Sequence, residues 1–329
     1  EMSFMRGRVG FDFTYYNART VNQILPVAIS TATGYESKYL NAGSIENKGI
    51  ELSVNANPVR TKKFSWNVTV NWSKNENKVV ELFEGAENLL LGEFQGGVSI
   101  NAAVGQPYGS IRGSDFIYTN GQKTVGTNGR YMRTTTSNNI IGNINPDWIG
   151  GITNSLQYKN FTLSFLVDVR HGGDVYSLDM HYGLSGGLYR ETAGLNDLGN
   201  PSRAPLADGG GVILPGVYQD GKPNATRVLN GYGTYGDFRN PNKAFIYDAS
   251  FVKLREVAIN YSLPTSFVNR LKAFKNIDIS LNGRNLWIIH KNLPYSDPED
   301  NLGAGNLQGY QSGAYPSVRT VNFNIKMRF

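Results

Sequence analysis

The sequence predicts an all-β chain, a stretch of antiparallel transmembrane β-barrel wall with long loops on one end. Three observations predict it. Several segments alternate strictly between apolar and polar residues, the mark of a strand with two unlike faces. Each runs roughly nine to eleven residues, about what a tilted strand needs to cross a bilayer. Their connections are short on one end and long on the other, as in outer-membrane barrels.

The elements follow in order. Val9 to Tyr16 and Ile50 to Ala56 alternate weakly. The next segment is unambiguous: Phe64, Trp66, Val68, Val70 and Trp72 are interleaved with Ser65, Asn67, Thr69 and Asn71. Ile152 to Tyr158 leads through Lys159 and Asn160 into Phe161, Leu163, Phe165, Val167 and Val169, set against Thr162, Ser164, Asp168 and Arg170. Val257 to Leu263 and Ile277 to Leu281 follow. The series closes with Val321, Phe323, Ile325, Met327 and Phe329 alternating with Asn322, Asn324, Lys326 and Arg328. Eight strands result, about 8–17, 49–57, 64–75, 148–158, 161–170, 250–263, 276–287 and 318–329. The region 98–140 offers two more, around 108–118 and 123–133, which would keep an up-and-down count even.

Between 264 and 275, Thr265 or Ser266 as N-cap precedes Phe267, Val268, Leu271 and Phe274, so a short helix fits. The connections at 57–63 and 159–160 are short. Those at about 171–248 and 289–317 are long and rich in Gly, Asn, Tyr and Asp. Large aromatics sit near strand ends (Trp66, Trp72, Trp148, Tyr158, Tyr261, Trp287, Phe329), where interfacial girdles form. The opposite faces carry Ser, Thr, Asn, Asp and Lys, which suit a wet lumen better than the packed core of a soluble β-sandwich. The small polar inward residues point to a share of a wide barrel. That barrel closes, because an unpaired edge in lipid costs several kcal/mol per group.

Composition narrows the function. The 329 residues include 12% aromatic and 18% charged, with 38 Gly and no Cys. Disordered chains are poor in aromatics and rich in charge, so disorder is excluded. Without Cys there is no disulfide, thiolate metal site, iron–sulfur cluster or cysteine nucleophile. The net charge of +6 is spread along the chain. Its densest basic cluster, Arg60-Thr61-Lys62-Lys63, reads as a turn and not as a nucleic-acid patch. The first residues, Glu1-Met2-Ser3-Phe4-Met5-Arg6, read as neither an ordinary start nor a signal peptide. They imply a chain that begins partway through a longer one.

Several motifs resemble one family. Leu40-Asn41-Ala42-Gly43-Ser44-Ile45-Glu46-Asn47-Lys48-Gly49-Ile50-Glu51-Leu52, followed by Phe64-Ser65-Trp66-Asn67-Val68, resembles the barrel of SusC/RagA-like TonB-dependent transporters of Bacteroidota. Pro146-Asp147-Trp148-Ile149-Gly150-Gly151 leading to Gly172-Gly173-Asp174-Val175-Tyr176 is similar to the same family. So are Ala249-Ser250-Phe251-Val252-Lys253-Leu254-Arg255-Glu256-Val257, Gly283-Arg284-Asn285-Leu286, Asp297-Pro298-Glu299 and the run from Pro316 to Phe329. The resemblance implies the C-terminal portion, residues 1–329, of a single 22-stranded barrel. The plug and the TonB-contacting regions would lie outside it. It further implies outer-membrane import of oligosaccharides or oligopeptides, driven through the TonB complex, with a SusD-like surface lipoprotein as lid. Phe329, a terminal aromatic, resembles the signal read by the barrel-assembly machinery.

Covalent chemistry is not expected. His171, His181 and His290 have no metal-ligand spacing and no nucleophile elbow. Gly209-Gly210-Gly211 lacks the lysine and the strand–turn–helix setting of a phosphate loop. Asn224-Ala225-Thr226 is an uninformative sequon match. Asp297, Glu299 and Asp300, and likewise Asp208 and Asp220, lack the spacing of a calcium loop and read as solvated loop charge. No enzyme activity, cofactor, metal or nucleic-acid partner is predicted.

What remains are loop side chains suited to ligand or partner contact: His171, Asp174, Tyr176, Tyr189, Tyr218, Tyr232, Tyr295 and Tyr310. Tyrosine offers a flat apolar face and a hydroxyl at low entropic cost. Packing of loops against each other and against a partner protein explains the same tyrosines. The competing functional class is a non-transporting outer-membrane barrel acting as adhesin or secretion scaffold.

Overall fold

Nine antiparallel strands form one sheet in strict sequence order. They are β1 (Met2–Phe4), β2 (Val9–Thr20), β3 (Gly43–Arg60), β4 (Phe64–Leu82), β5 (Trp148–Tyr158), β6 (Phe161–His171), β7 (Phe251–Ser262), β8 (Asn276–Lys291) and β9 (Thr320–Arg328). The computed structural model describes residues 1–41, 43–236, 239–300, 305 and 307–329. Ala42 in the first motif, and residues 237, 238, 301–304 and 306 in the two predicted long loops, lie outside the described residues. All eight predicted strands are present. β3 and β4 run past their predicted ends because their far ends, with Glu46, Lys48, Lys74 and Glu76 on them, are polar on both faces and carry no alternation to read. The helix fitted after β7 forms as a single turn, Thr265–Val268, continued by a 3-10 turn to Leu271.

The register keeps each face uniform. Phe64 pairs with Tyr158, Tyr158 with Phe161, and Phe161 with Tyr261, so four rings make a row across four strands beside the short turns. One level up, Trp66 faces Leu156, and further up Val70 faces Ile152 and Ile152 faces Val167. Such cross-strand pairs are the unit of sheet stabilisation. Phe13, Tyr15, Tyr158, Tyr261, Leu281, Phe323 and Ile325 of this face are all exposed. A contiguous exposed apolar surface of that size belongs against lipid or another apolar body. No helix among the described residues is long and apolar enough to cross a membrane.

One wall glycine is fixed by close approach. Tyr16 lays its ring over Gly49 and donates from its hydroxyl to Asn75 Oδ1 on the next strand, 3.0 Å away. A Cβ on Gly49 would sit 2.3 Å from that ring and 2.6 Å from the Lys74 carbonyl oxygen, which is backbone and cannot step aside. Gly49→Val is therefore expected to cost about 1–3 kcal/mol through overpacking. The temperature at which the folded band is lost in semi-native gel electrophoresis checks this, and it should fall relative to the parent.

The four short connections lie on one end, and the connections 21–42, 83–147, 172–250 and 292–319 lie on the other. The region 98–140 departs from expectation and adds no strand to the wall. Ser110–Gly113 instead joins Asn88–Phe94, Val98–Ala103 and Asn139–Asn143 in a separate four-stranded sheet, and Tyr118–Thr119 with Gln122–Lys123 is a minimal hairpin. Gly105, Gly109, Gly121 and Gly129 take positive φ there and cut the chain into pieces too short to span a bilayer. Ile111, Phe116 and Val125 are buried among the long connections rather than exposed on the apolar face of the sheet.

The long connections share a core. Val98, Ile100, Ile111, Ile141, Val175, Tyr176, Met180, Phe245, Leu293 and Tyr310 pack together from three of them. A smaller cluster of Val27, Val79, Leu82, Leu89 and Ala102 ties in the fourth. Asp174–Ser177 pairs antiparallel with Ile246–Asp248 and parallel with Tyr310–Gln311, a three-stranded patch that fastens distant loop segments. The helix α1 (Leu178–Ser185) starts from it, with Ser177 Oγ accepting from the Met180 N–H.

Candidate functional site: the charged junction of wall and mouth

Three of the sequence motifs meet at one place, and a β-bulge explains how. Along β7, Val257, Ile259 and Tyr261 lie on the apolar face, so simple alternation would put Lys253 and Arg255 there too. The register against β6 slips between Leu166 and Val167: Glu256 faces Leu166 and Leu254 faces Val167, leaving Arg255 as the extra residue. A bulge of this kind re-aims side chains. Phe251, Lys253 and Arg255 thereby turn to the polar face. β8 answers with its own irregularity, since Leu254 faces Trp287 while Glu256 faces Arg284. Asn285, within Gly283-Arg284-Asn285-Leu286, supplies the left-handed residue at φ 53°.

The re-aimed cations receive Asp297-Pro298-Glu299. Lys253 Nζ donates to Asp297 Oδ1 and to Glu299 Oε2, each at 2.5 Å. Arg255 donates to Asp168 Oδ2 at 2.7 Å and also to Glu299. The Lys253 side chain is 5% exposed and that of Asp297 8%. Both cations lie over the Phe251 ring, with Lys253 Nζ 4.6 Å from its centroid. Asp297 also accepts from the Glu299 N–H and from Ser317 Oγ.

Burial works to raise the pKa of Asp297, but the Lys253 hydrogen bond and the Glu299 N–H overcome it and hold the carboxyl below its usual range. Glu299 is lowered likewise, with burial opposed by Arg255 and then Lys253. These acids are latched into an ion network rather than standing as solvated loop charge. Asp220, by contrast, pairs locally with Lys222 at 2.7 Å. Among the described residues no group of three or more His, Asp or Glu is placed to hold a metal.

A second junction unites the other motif pair. The Asp147 N–H donates to the His171 carbonyl oxygen, and Trp148 stacks on the His171 ring at 5.4 Å between centroids. The chain leaves β6 through Gly172 and Gly173, at φ 75° and 80°, where a Cβ would strike the Asp147 carboxylate and the Arg170 guanidinium. Arg170 donates to the Ile144 carbonyl oxygen at 2.7 Å. Asp174 accepts from the Asn143 N–H at 2.8 Å, and burial raises its pKa.

The predicted contact residues fall into two groups. Tyr176, fully buried, stacks on Tyr310 and bonds through its hydroxyl to His181 Nδ1 at 3.0 Å. Tyr310 stacks on Phe94 and donates to the Gln95 carbonyl oxygen, and burial pushes its hydroxyl up to about 12. These two rings and Asp174 belong to the mouth core. Tyr295 is exposed and stacks 4.0 Å from Tyr189, which is half-buried and packs against that core, and the Tyr295 hydroxyl bonds to Glu191. Tyr218 bonds to Thr226 Oγ1, and Tyr232 lies exposed beneath the Arg239 guanidinium. His171 is exposed beside Asp147. His290 bonds to Asn292 from β8, so the three histidines share no site. Sequence reasoning missed Lys253, Arg255 and Asp168 as a unit. The signal was present as the break in β7 alternation between Arg255 and Val257.

No family model matches the chain. TonB-dependent receptor P26 of Formosa agariphila is 30% identical over 360 residues, covering all of this chain and 34% of that protein. TonB-dependent receptor P3 of the same organism is 26% identical, and the TonB-dependent receptor SusC of Bacteroides thetaiotaomicron is 24% identical, again along the whole chain. The chain thus spans about a third of the length of the curated relatives it matches. A solved RagAB peptide transporter superposes with a TM-score of 0.68 at 18% identity, covering 99% of this chain and 34% of the other, a likeness of fold. The chain is homologous along its whole length to SusC/RagA-like TonB-dependent receptors, and its sheet is a section of that antiparallel barrel wall with its mouth loops.

Proposed function

We propose that this chain is the wall-and-mouth section of an outer-membrane active transporter that imports oligosaccharides or oligopeptides. The observation carrying the reading is the two-faced sheet, apolar on one side and polar on the other, with every long connection folded into one mouth at a single end. Strands outside this chain complete a 22-stranded barrel. The TonB complex acts through regions outside this chain, a SusD-like lipoprotein lids the mouth, and the barrel-assembly machinery reads Phe329. His171, Tyr189, Tyr218, Tyr232 and Tyr295 present surface at the mouth for substrate or lid. Asp174, Tyr176 and Tyr310 shape the loops that carry them.

Uptake of labelled oligopeptides and oligosaccharides by cells with and without the gene tests the reading. One class should fail to enter the deletion strain, and dissipating the proton-motive force should abolish its entry into the parent. Unchanged uptake together with lost surface attachment would establish the adhesin or scaffold reading instead.

A further inference from the structure

The short-turn end of the sheet has an unusual charge pattern. Arg6 and Arg8 occupy the first turn, and Arg60, Lys62 and Lys63 the second. Lys159 is in the third, and Arg270, Lys272 and Lys275 follow in the fourth. These turns contain no Asp or Glu, whereas the four long connections hold 17 acidic against 12 basic residues. All nine turn cations are exposed, and none forms an ion pair among the described residues.

The aromatic row of Phe64, Tyr158, Phe161 and Tyr261 sits directly beside these turns on the apolar face. At the fourth turn Phe267 and Leu271 are exposed next to Arg270 and Lys272. Aromatic and aliphatic anchors at headgroup level, with free cations just beyond them, form the surface that attracts anionic lipid.

We infer that the short-turn rim is a docking surface for the phosphate-bearing headgroups of anionic phospholipids in the adjoining leaflet. The inference rests on the barrel reading, and places the attraction on the leaflet away from the mouth. Each Lys or Arg near such a surface adds attraction independently, and salt screens it. Lys62, Lys63 and Lys159, exposed in the second and third turns, supply three of the nine charges.

The test uses the full native polypeptide and its K62Q/K63Q/K159Q variant in vesicles of phosphatidylethanolamine with or without phosphatidylglycerol. Co-purifying lipid is counted by native mass spectrometry. The variant should retain roughly tenfold less phosphatidylglycerol at low salt, with phosphatidylethanolamine unchanged and no displacement by inorganic phosphate. Equal retention by parent and variant overturns the inference. So does equal retention accompanied by loss of a poly-glutamate peptide, which would assign the rim to an acidic polypeptide. Protease protection of the parent in vesicles is scored separately. If the parent fails to insert, the barrel reading fails; if it inserts without preferring phosphatidylglycerol, only this inference fails.

Discussion

Lys253→Met is expected to undock the segment around Asp297 and Glu299 while leaving the strands of the wall paired. The substitution removes the ammonium from a carboxylate that is 8% exposed, and breaking one partner of a buried pair costs about 3–5 kcal/mol. Arg255 remains on Glu299 and Asp168, so the lower end of that range applies. Hydrogen exchange read by mass spectrometry should show faster exchange in 292–300 and unchanged protection in β6 and β7. Acid should act on the same element. The folded pKa values of Asp297 and Glu299 are lowered, so their stabilisation is full above the ordinary carboxylate range and is lost as pH falls through the folded values. Asp174, whose folded value is raised, runs the opposite way: its contribution is present at low pH and is lost on raising it. Acidification should therefore release 292–300 without destabilising the segment around the buried Asp174 carboxyl, as residue-resolved exchange across a pH series can show.

Tyr176→Ala should loosen the whole mouth. Its ring is fully buried, stacks on Tyr310, meets Phe245 edge-on, bonds to His181 and lies against Gly96, so it joins three long connections. Truncating a buried aromatic costs about 3–5 kcal/mol through lost transfer energy and a cavity. Limited proteolysis should open sites in 83–147 and 172–250 together. Tyr232→Ala, at an exposed ring, should leave the digestion pattern as in the parent. Equal digestion of both variants would show that the mouth does not share a core.

How much of this was legible in the sequence depended on whether a residue's environment was periodic. Phe64 to Trp72 and Phe161 to Val169 alternate because one face meets an apolar surface and the other a polar one, so their strands could be read directly. Glu46, Lys48 and Glu76 are polar with solvent on both sides, and the ends of β3 and β4 therefore left no trace. Lys253 and Arg255 were not legible as a site: parity with Val257 alone would set them on the apolar face, and only the bulge at Arg255 turns them to Asp297 and Glu299. The tyrosines were legible as a class but not individually. Tyr176 and Tyr232 are alike as letters, and only the tertiary packing of 246–248 and 310–311 separates core from surface.

The central claim is that this sheet stands in a membrane with Trp66, Val68 and Val70 against lipid and Asn67, Thr69 and Asn71 against water. The chain has no cysteine of its own, so a single spin-labelled cysteine can be walked from 66 to 71 without background from these residues. Collision rates with oxygen, which partitions into lipid, and with a water-soluble nickel chelate should alternate with a period of two. Oxygen should dominate at 66, 68 and 70, and the chelate at 67, 69 and 71. Equal accessibility at all six positions, or shielding of the even positions from both reagents, would contradict the account and place these strands in a packed soluble sandwich.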